Sequence, residues 1–231
     1  MSVMEPGEGA MPVIVAWDTC TIRGVLAIAR GRRLLAETYF EAAKGHSGWL
    51  MPELDEALMT ARVSRAEVTH VACGTGPGTF TGVKVGIACA KAVSMGLGVP
   101  VVGMPTLDLL AHAAPGNDRD ILAVMDARRG QLHAAVFRPA DETLERLTDY
   151  MCVEPSALCG TAAELDIGDL VIAGEAPVEL MDLLCKTRHI VTTGGAYPTG
   201  GALVKLASDM IESGDVGDAA SVAAIYLKKP V

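Results

Sequence analysis

Between Gly74 and Gly86 the chain reads Gly-Thr-Gly-Pro-Gly-Thr-Phe-Thr-Gly-Val-Lys-Val-Gly. Glycine lets a backbone turn sharply and leaves its N–H groups uncovered. A helix starting at such a turn adds unpaired donors and the positive end of its dipole. Gly76, Gly78, Thr79, Thr81 and Lys84 thus form a candidate cradle for phosphate or another anion. Asp18 and Thr19, which end an earlier apolar run, are candidates to face the same ligand, the carboxylate through Mg²⁺. The same glycines equally suit a tight strand-to-helix turn that binds nothing. Two named loops are excluded. Walker A needs G-x-x-x-x-G-K-[ST], whereas Gly78 to Lys84 reads G-x-x-x-G-x-K. The dinucleotide fingerprint fails because no third glycine follows Gly76 and Gly78 at the required spacing.

The elements that must position these residues can be read from periodicity. Val13–Trp17, Gly24–Ala29 and Leu34–Phe40 read as three antiparallel strands, with Asp18 at the tip of the first hairpin. His46–Arg62 reads as a helix with Leu50, Leu54, Ala57, Leu58 and Ala61 on one face and Ser47 as N-cap. Val68–Cys73 is a strand, Thr81–Met95 a helix, Val99–Gly103 a strand and Thr106–Ala113 a helix. From Ile121 the pattern repeats: strand, Asp126 at a turn, returning strand Gln131–Phe137, a third strand Leu147–Val153, helix Ser156–Leu165 and strand Leu170–Gly174. Glu175-Ala176-Pro177 then stands where the first copy has its glycine turn, and helices follow near Pro177–Cys185 and Thr199–Ser213. The tail Ala219–Lys228 fits either a helix or an extended segment. A duplicated β-β-β-α-β-α unit predicts an α/β chain with the actin-like ATPase and sugar-kinase (ASKHA) architecture, its second lobe degenerate. We expect residues 13–115 and 116–231 as the two lobes, and Met1–Pro12 as a disordered extension with Met11 a candidate start.

Composition narrows the function. A net charge of −9 and a pI near 5.0 offer no basic field for direct nucleic-acid binding. The 50% hydrophobic and 4% aromatic content describes an aliphatic core suited to sheets covered by helices. Six cysteines lack C-x-x-C or zinc spacing, which predicts buried free thiols in a reducing compartment. No run reads as a membrane span and no basic-then-apolar start reads as a signal peptide, so cytoplasm is the expected location.

Asp18-Thr-Cys-Thr21, the Gly74–Gly86 turn, Pro100-Val-Val-Gly103 and Met125-Asp-Ala-Arg-Arg-Gly130 closely resemble the TsaB (YeaZ) family. These are paralogues of TsaD in bacterial tRNA threonylcarbamoyladenosine modification. The likeness runs over most of Val13–Lys228 and fades in the last third. TsaD-like enzymes carry a metal-binding His-x-x-x-His pair just after the strand that aligns with Pro100–Gly103. Here those positions hold Thr106 and Leu110, of which leucine cannot ligate a metal. The resemblance therefore implies a non-catalytic subunit with no catalytic residues and no metal. It would activate a TsaD-type partner bound through the N-terminal lobes, with a TsaE-type P-loop ATPase joining the pair. The chain would self-associate as a homodimer when alone and meet tRNA only through the complex, with no intrinsic cofactor and ATP or ADP only within that complex. Lys84, where arginine is usual, and the missing proline before Tyr226 depart from the family pattern.

For the docking surface, Trp49 lies off the core stripe with Glu53 and Glu56 near it, which suits an interface anchor or a cap on the lobe's own core. Gly82, Gly86 and Ala90 recur every four residues, a small-residue stripe open to the chain's own sheet or to a partner helix. We expect it to serve the partner as well. The competing functions are a small ASKHA-type ATP-binding enzyme, using Asp18 and the glycine turn, and a glycoprotease-like metallopeptidase.

Overall fold

The structure, a computed structural model, describes residues 11–41, 48–114, 118–141, 143–165, 167, 169–186, 190–192, 195 and 197–227. The expected extension, the helix start at His46 with its Ser47 cap, and the end of the tail lie outside the described residues. The chain divides into two units. The first comprises residues 1–106 and 198–225, the second 107–197 and 226–231.

In the first unit, β1 (Val13–Asp18), β2 (Arg23–Arg30), β3 (Arg33–Glu41), β4 (His70–Gly76) and β5 (Val101–Pro105) form one sheet in the order β3-β2-β1-β4-β5. β1 pairs antiparallel with β2 and parallel with β4, Ala16 lying opposite Ala27 and Ala72. Every residue of β1 is buried, because successive side chains point to opposite faces and both faces are covered. Val13, Val15 and Trp17 join the core formed with α1 (Leu50–Ala61) and α2 (Phe80–Leu97). On the other side packs α6 (Gly200–Glu212), which touches β1, β2, β3 and β5. Thr199 caps α6, its hydroxyl accepting from the Ala202 N–H at 3.2 Å.

Between them in sequence lie α3 (Thr106–Ala113), β6 (Asp120–Asp126), β7 (Leu132–Ala140), β8 (Thr143–Arg146), β9 (Met151–Val153), α4 (Pro155–Glu164), β10 (Leu170–Gly174), α5 (Val178–Cys185) and β11 (Ile190–Thr192). The second sheet runs β11-β10-β6-β7-β8, with β9 also paired to β7. Its sides are filled by Leu122, Val124, Leu158 and Leu180 in one cluster and by Leu107, Leu110, Ala135 and Phe137 in another.

The duplicated pattern predicted from the sequence is present, with three corrections. The lobe boundary expected at 115/116 falls at Thr106, and residues 198–225 belong to the first unit, because α6 packs on the first sheet. The single third strand expected at Leu147–Val153 is two pieces, broken after Arg146 where Leu147 N–H turns to the Val136 carbonyl. β11 was not expected. Residues 214–225 form neither helix nor regular strand. They strap the first sheet through a two-way bridge between Gly217 and Val101 and a bond from Ile225 N–H to the Thr75 carbonyl.

Cys20, Cys73, Cys89, Cys152 and Cys159 are free, the first two buried and the other three half-buried. The expectation of burial holds for the two that lie on the central sheet's side of the core. One reading about membranes also changes: α2 is long and apolar enough, by length and composition, to cross one. Its inner face, Gly82, Val83, Gly86, Ile87, Ala90 and Ser94, is packed into the first unit.

Candidate functional site: a glycine turn closed on its own hairpin, and two helix faces beside it

Thr79 begins α2 as its N-cap, the hydroxyl accepting from Gly82 N–H at 3.2 Å. The turn that precedes it lies directly against the tip of the β1–β2 hairpin. Thr79 N–H donates to the Cys20 carbonyl at 2.8 Å, and the Thr19 hydroxyl donates to the Gly82 carbonyl at 2.7 Å. Trp17 Nε1–H donates to the Gly86 carbonyl at 3.1 Å. Asp18 is fully buried. Its Oδ1 accepts from Cys20 N–H and its Oδ2 from the Thr106 hydroxyl, both at 2.9 Å.

Four glycines spaced by four residues meet this tip. A Cβ on Gly74 would lie under 3.0 Å from Asp18 Oδ2, on Gly78 from the Cys20 carbonyl oxygen, on Gly82 from the Thr19 carbonyl oxygen, and on Gly86 from the Thr19 hydroxyl. The close approach that the sequence suggested for a phosphate is taken by backbone and side-chain atoms of the chain's own hairpin. Gly76 holds a positive φ of 90°, a conformation glycine adopts without strain. The residues of the predicted cradle are placed as follows. Asp18 and Thr19 are interior, Thr79 has its N–H and hydroxyl engaged, and Thr81 is exposed on α2. Lys84 is turned to Phe80, its Nζ 3.9 Å above the ring.

Burial pushes the Asp18 carboxyl above its ordinary range, with the Cys20 N–H and Thr106 hydroxyl pulling it back. Burial and the nearby Asp18 push the Cys20 thiol well up, and burial carries the Cys73 thiol to about 12. These thiols are protonated at neutral pH, so neither offers a thiolate nucleophile. Thr106 is thus a strut for Asp18. Leu110 is fully buried in the second unit's core. Asp126, the counterpart of Asp18 in the second copy, stays exposed and accepts from Arg128 N–H at 2.7 Å within its own turn.

The Gly82/Gly86/Ala90 stripe, expected to be shared with a partner, is corrected. It is buried against the hairpin tip and Trp17, which leaves no surface for a second helix. The outward face of α2 is a different set: Thr81, Lys84, Ala88, Ala92 and Met95, with Phe80 at its start. Met95 and Phe80 are 75% and 52% exposed. This second stripe has the same helical spacing as the first, and sequence alone could not rank the two faces. On α1, Met59 is 78% exposed. Trp49 immediately precedes α1 and is 37% exposed, its ring 6.3 Å from that of buried Phe40. Glu53 accepts from the Thr38 hydroxyl at 3.2 Å, and Glu56 is exposed. Trp49 and Glu56 are thus at the surface, and Glu53 is half-buried. Between the two helices runs an apolar groove of about 330 Å³ whose lining includes Leu54, Leu58, Val93 and Leu97.

A family model described as TsaD, tRNA N6-adenosine threonylcarbamoyltransferase, matches residues 40–192. The chain belongs to the TsaD family. Within it the likeness is to TsaB (YeaZ), as the motifs led us to expect. The TsaB protein of Bacillus subtilis is 28% identical over 134 residues, 58% of each chain. The chain thus spans little more than half the length of that relative. YeaZ from Pseudomonas aeruginosa superposes with a TM-score of 0.80 at 22% identity, over 94% of this chain and 100% of that one. A ROK hexokinase from Thermus thermophilus superposes with a TM-score of 0.52 at 13% identity, over 88% of this chain and 99% of that one. These likenesses establish the actin-like, sugar-kinase fold read from the duplication. The TsaD-family glycine motif is, in this chain, the socket of its own first hairpin.

Proposed function

We propose that this chain is a non-catalytic subunit in the biosynthesis of threonylcarbamoyladenosine in tRNA. It binds and activates a TsaD-type threonylcarbamoyltransferase. The docking surface is the outward face of α2, Thr81, Ala88, Ala92 and Met95, together with α1 from Trp49 through Glu53 and Glu56 to Met59. The observation that carries this reading is that face. Along this face Phe80, Ala88, Ala92 and Met95 stand exposed, Phe80 by 52% and Met95 by 75%, and a row of apolar side chains left in water marks a binding site. The small side chains at Ala88 and Ala92 let another helix approach closely. When the partner is absent, a second copy takes the same face and gives a homodimer. A TsaE-type P-loop ATPase joins the pair. The acidic chain reaches tRNA only through the complex.

The two enzymatic alternatives are less well supported. An ATP-binding enzyme needs the glycine turn free for phosphate, and that turn already holds the Thr19 and Cys20 carbonyls. A metallopeptidase needs ligands where Thr106 is bonded to Asp18 and Leu110 is in the core. The test is binding of the full chain to the TsaD-type protein of the same organism by titration calorimetry. Ala92→Glu should weaken that complex by at least about tenfold while leaving the thermal midpoint nearly unchanged, because residue 92 is exposed. Absence of a complex, or a complex indifferent to Ala92→Glu, overturns the proposal.

A further inference from the structure

The two docking helices carry opposite charge. From Val68 through Leu107 the chain has no aspartate or glutamate, although it holds 28 of them in all. α2 lies wholly inside that stretch, and its charged side chains are Lys84 and Lys91 alone. α1 is the reverse, with Glu53, Asp55 and Glu56 and no lysine or arginine.

The fold itself engages part of this charge. Asp55 pairs with Arg65 at 2.6 Å, and Glu53 accepts from the Thr38 hydroxyl at 3.2 Å. Glu56 and Lys84 are both exposed, and among the described residues neither has an ion-pair partner. The Lys84 ammonium rests on the Phe80 ring instead, 3.9 Å from its centre. On α1, Pro52, Glu56 and Met59 are exposed at i, i+4 and i+7, opposite the buried Leu50, Leu54 and Leu58. Lys84, Ala88 and Met95 stand in the same relation to the buried side of α2. Both buried sides enter one core cluster with Val13, Val15 and Trp17 on one face of the first sheet. The two outward faces therefore look away from that sheet on the same side, an acidic row beside a basic one.

A surface with one row of each sign is self-complementary about a two-fold axis. A rotation that lays α1 of each copy on α2 of the other sets Glu56 against Lys84 twice. A rotation that lays like helices together sets Glu56 against Glu56 and Lys84 against Lys84. We infer that a second copy of this chain docks crosswise, α1 of each copy on α2 of the other, and that Glu56 and Lys84 select this arrangement. The inference rests on the proposed docking face and adds which helix meets which. An exposed ion pair contributes little affinity, but like charges brought together reject the wrong arrangement.

The experiment uses the full chain, with sedimentation equilibrium for self-association and thermal unfolding for the fold. Either reversal alone, Glu56→Lys or Lys84→Glu, turns two attractive contacts per dimer into two repulsive ones. Each should raise the dimer dissociation constant by about tenfold or more, and the gap from wild type should close in about 1 M salt. The double variant Glu56→Lys/Lys84→Glu restores attraction and should dimerise within about threefold of wild type. Helices paired like on like would leave both single reversals at the wild-type constant, since the sign of each contact would not change. Single reversals that dimerise as wild type, a double variant no better than the singles, or a wild-type chain that stays monomeric overturn the crosswise arrangement. If Lys84→Glu lowers the unfolding midpoint through its lost contact with Phe80, Glu56→Gln decides: a weaker dimer supports the inference, and an unchanged or tighter one overturns it. Calorimetry of Ala92→Glu with the TsaD-type protein separates the two levels. A defect there leaves the docking face standing whatever the charge variants do, and wild-type affinity there overturns the docking function itself.

Discussion

Gly82→Ala and Gly96→Ala place the same methyl group on the same helix, and the structure assigns them opposite signs. At either position alanine raises helix propensity by up to about 1 kcal/mol. At Gly82 the new Cβ would lie under 3.0 Å from the carbonyl oxygen of Thr19, a backbone atom that cannot swing aside. The hairpin tip must back away. The 2.7 Å bond from the Thr19 hydroxyl to the Gly82 carbonyl goes with it. Overpacking of this kind costs about 1–3 kcal/mol, and a lost buried hydrogen bond about 1 kcal/mol more. Set against the full propensity gain, Gly82→Ala should destabilise by roughly 1–3 kcal/mol. Gly96→Ala meets no atom and should be neutral or stabilising by up to about 1 kcal/mol. Urea unfolding followed by far-ultraviolet circular dichroism measures both, through midpoints at constant slope. A neutral or stabilising Gly82→Ala would refute the claim that the glycine turn is filled by the chain's own hairpin. It would restore the possibility of an open cradle.

Three further outcomes follow from the same geometry. Thr106→Val removes the donor to Asp18 Oδ2 and leaves a buried oxygen unsatisfied, which should cost about 1–3 kcal/mol; a midpoint unchanged from wild type would show that Thr106 is no strut. Because burial raises the folded-state value of Asp18, its contribution is fully present below the ordinary value of 3.8 and is lost as pH rises through the folded value. Asp18→Asn should therefore flatten the pH dependence of stability above 3.8, and superimposable profiles would argue against it. Glu67 behaves oppositely. The Ser64 N–H, and then Arg30, hold its carboxyl down to about 2. Its contribution is present above the ordinary 4.5 and fades as pH falls toward 2. Glu67→Gln should remove that acid-limb loss, which urea midpoints measured across the same range would detect.

Most of the architecture was legible because β strands and helices announce themselves by period. The run Val13–Trp17, the glycine turn and the repeat beginning at Ile121 all stand where alternation and turn residues put them. What sequence order could not convey was that the last helix returns to the first unit. The sequence shows that β1 is apolar on both faces but not which later segment covers the second face. The 115/116 boundary came from reading each lobe as one continuous stretch, and Pro115 made a convenient break. The third strand of the second copy was misplaced because Leu147, Met151 and Val153 mimic one continuous strand, whereas the chain turns after Arg146 and resumes on β7 two residues beyond Asp149.

The site was harder to read for a chemical reason. A carbonyl oxygen and a phosphate oxygen make the same demand on a helix N-terminus: an acceptor at hydrogen-bond distance from an N–H, with no side chain in the way. Gly74, Gly78, Gly82 and Gly86 satisfy that demand for either. Their spacing by four tells only that something approaches one face of the turn and helix closely. The residues that decide between the two are elsewhere. Thr106, 88 positions from Asp18, ties the carboxylate inward where a metal-assisted phosphate site would need it free. Cys20 meets the turn with its main-chain oxygen and its Cβ, which any residue but glycine carries. Gly86→Leu follows as a probe whose meaning reverses. If the stripe faced a partner, this variant would fold and fail to bind. With the Thr19 hydroxyl already occupying the space for its Cβ, it should instead unfold, or fold only at greatly reduced stability. A well-folded Gly86→Leu protein that loses its partner would return the stripe to the docking surface and require a different account of Ala88 and Ala92.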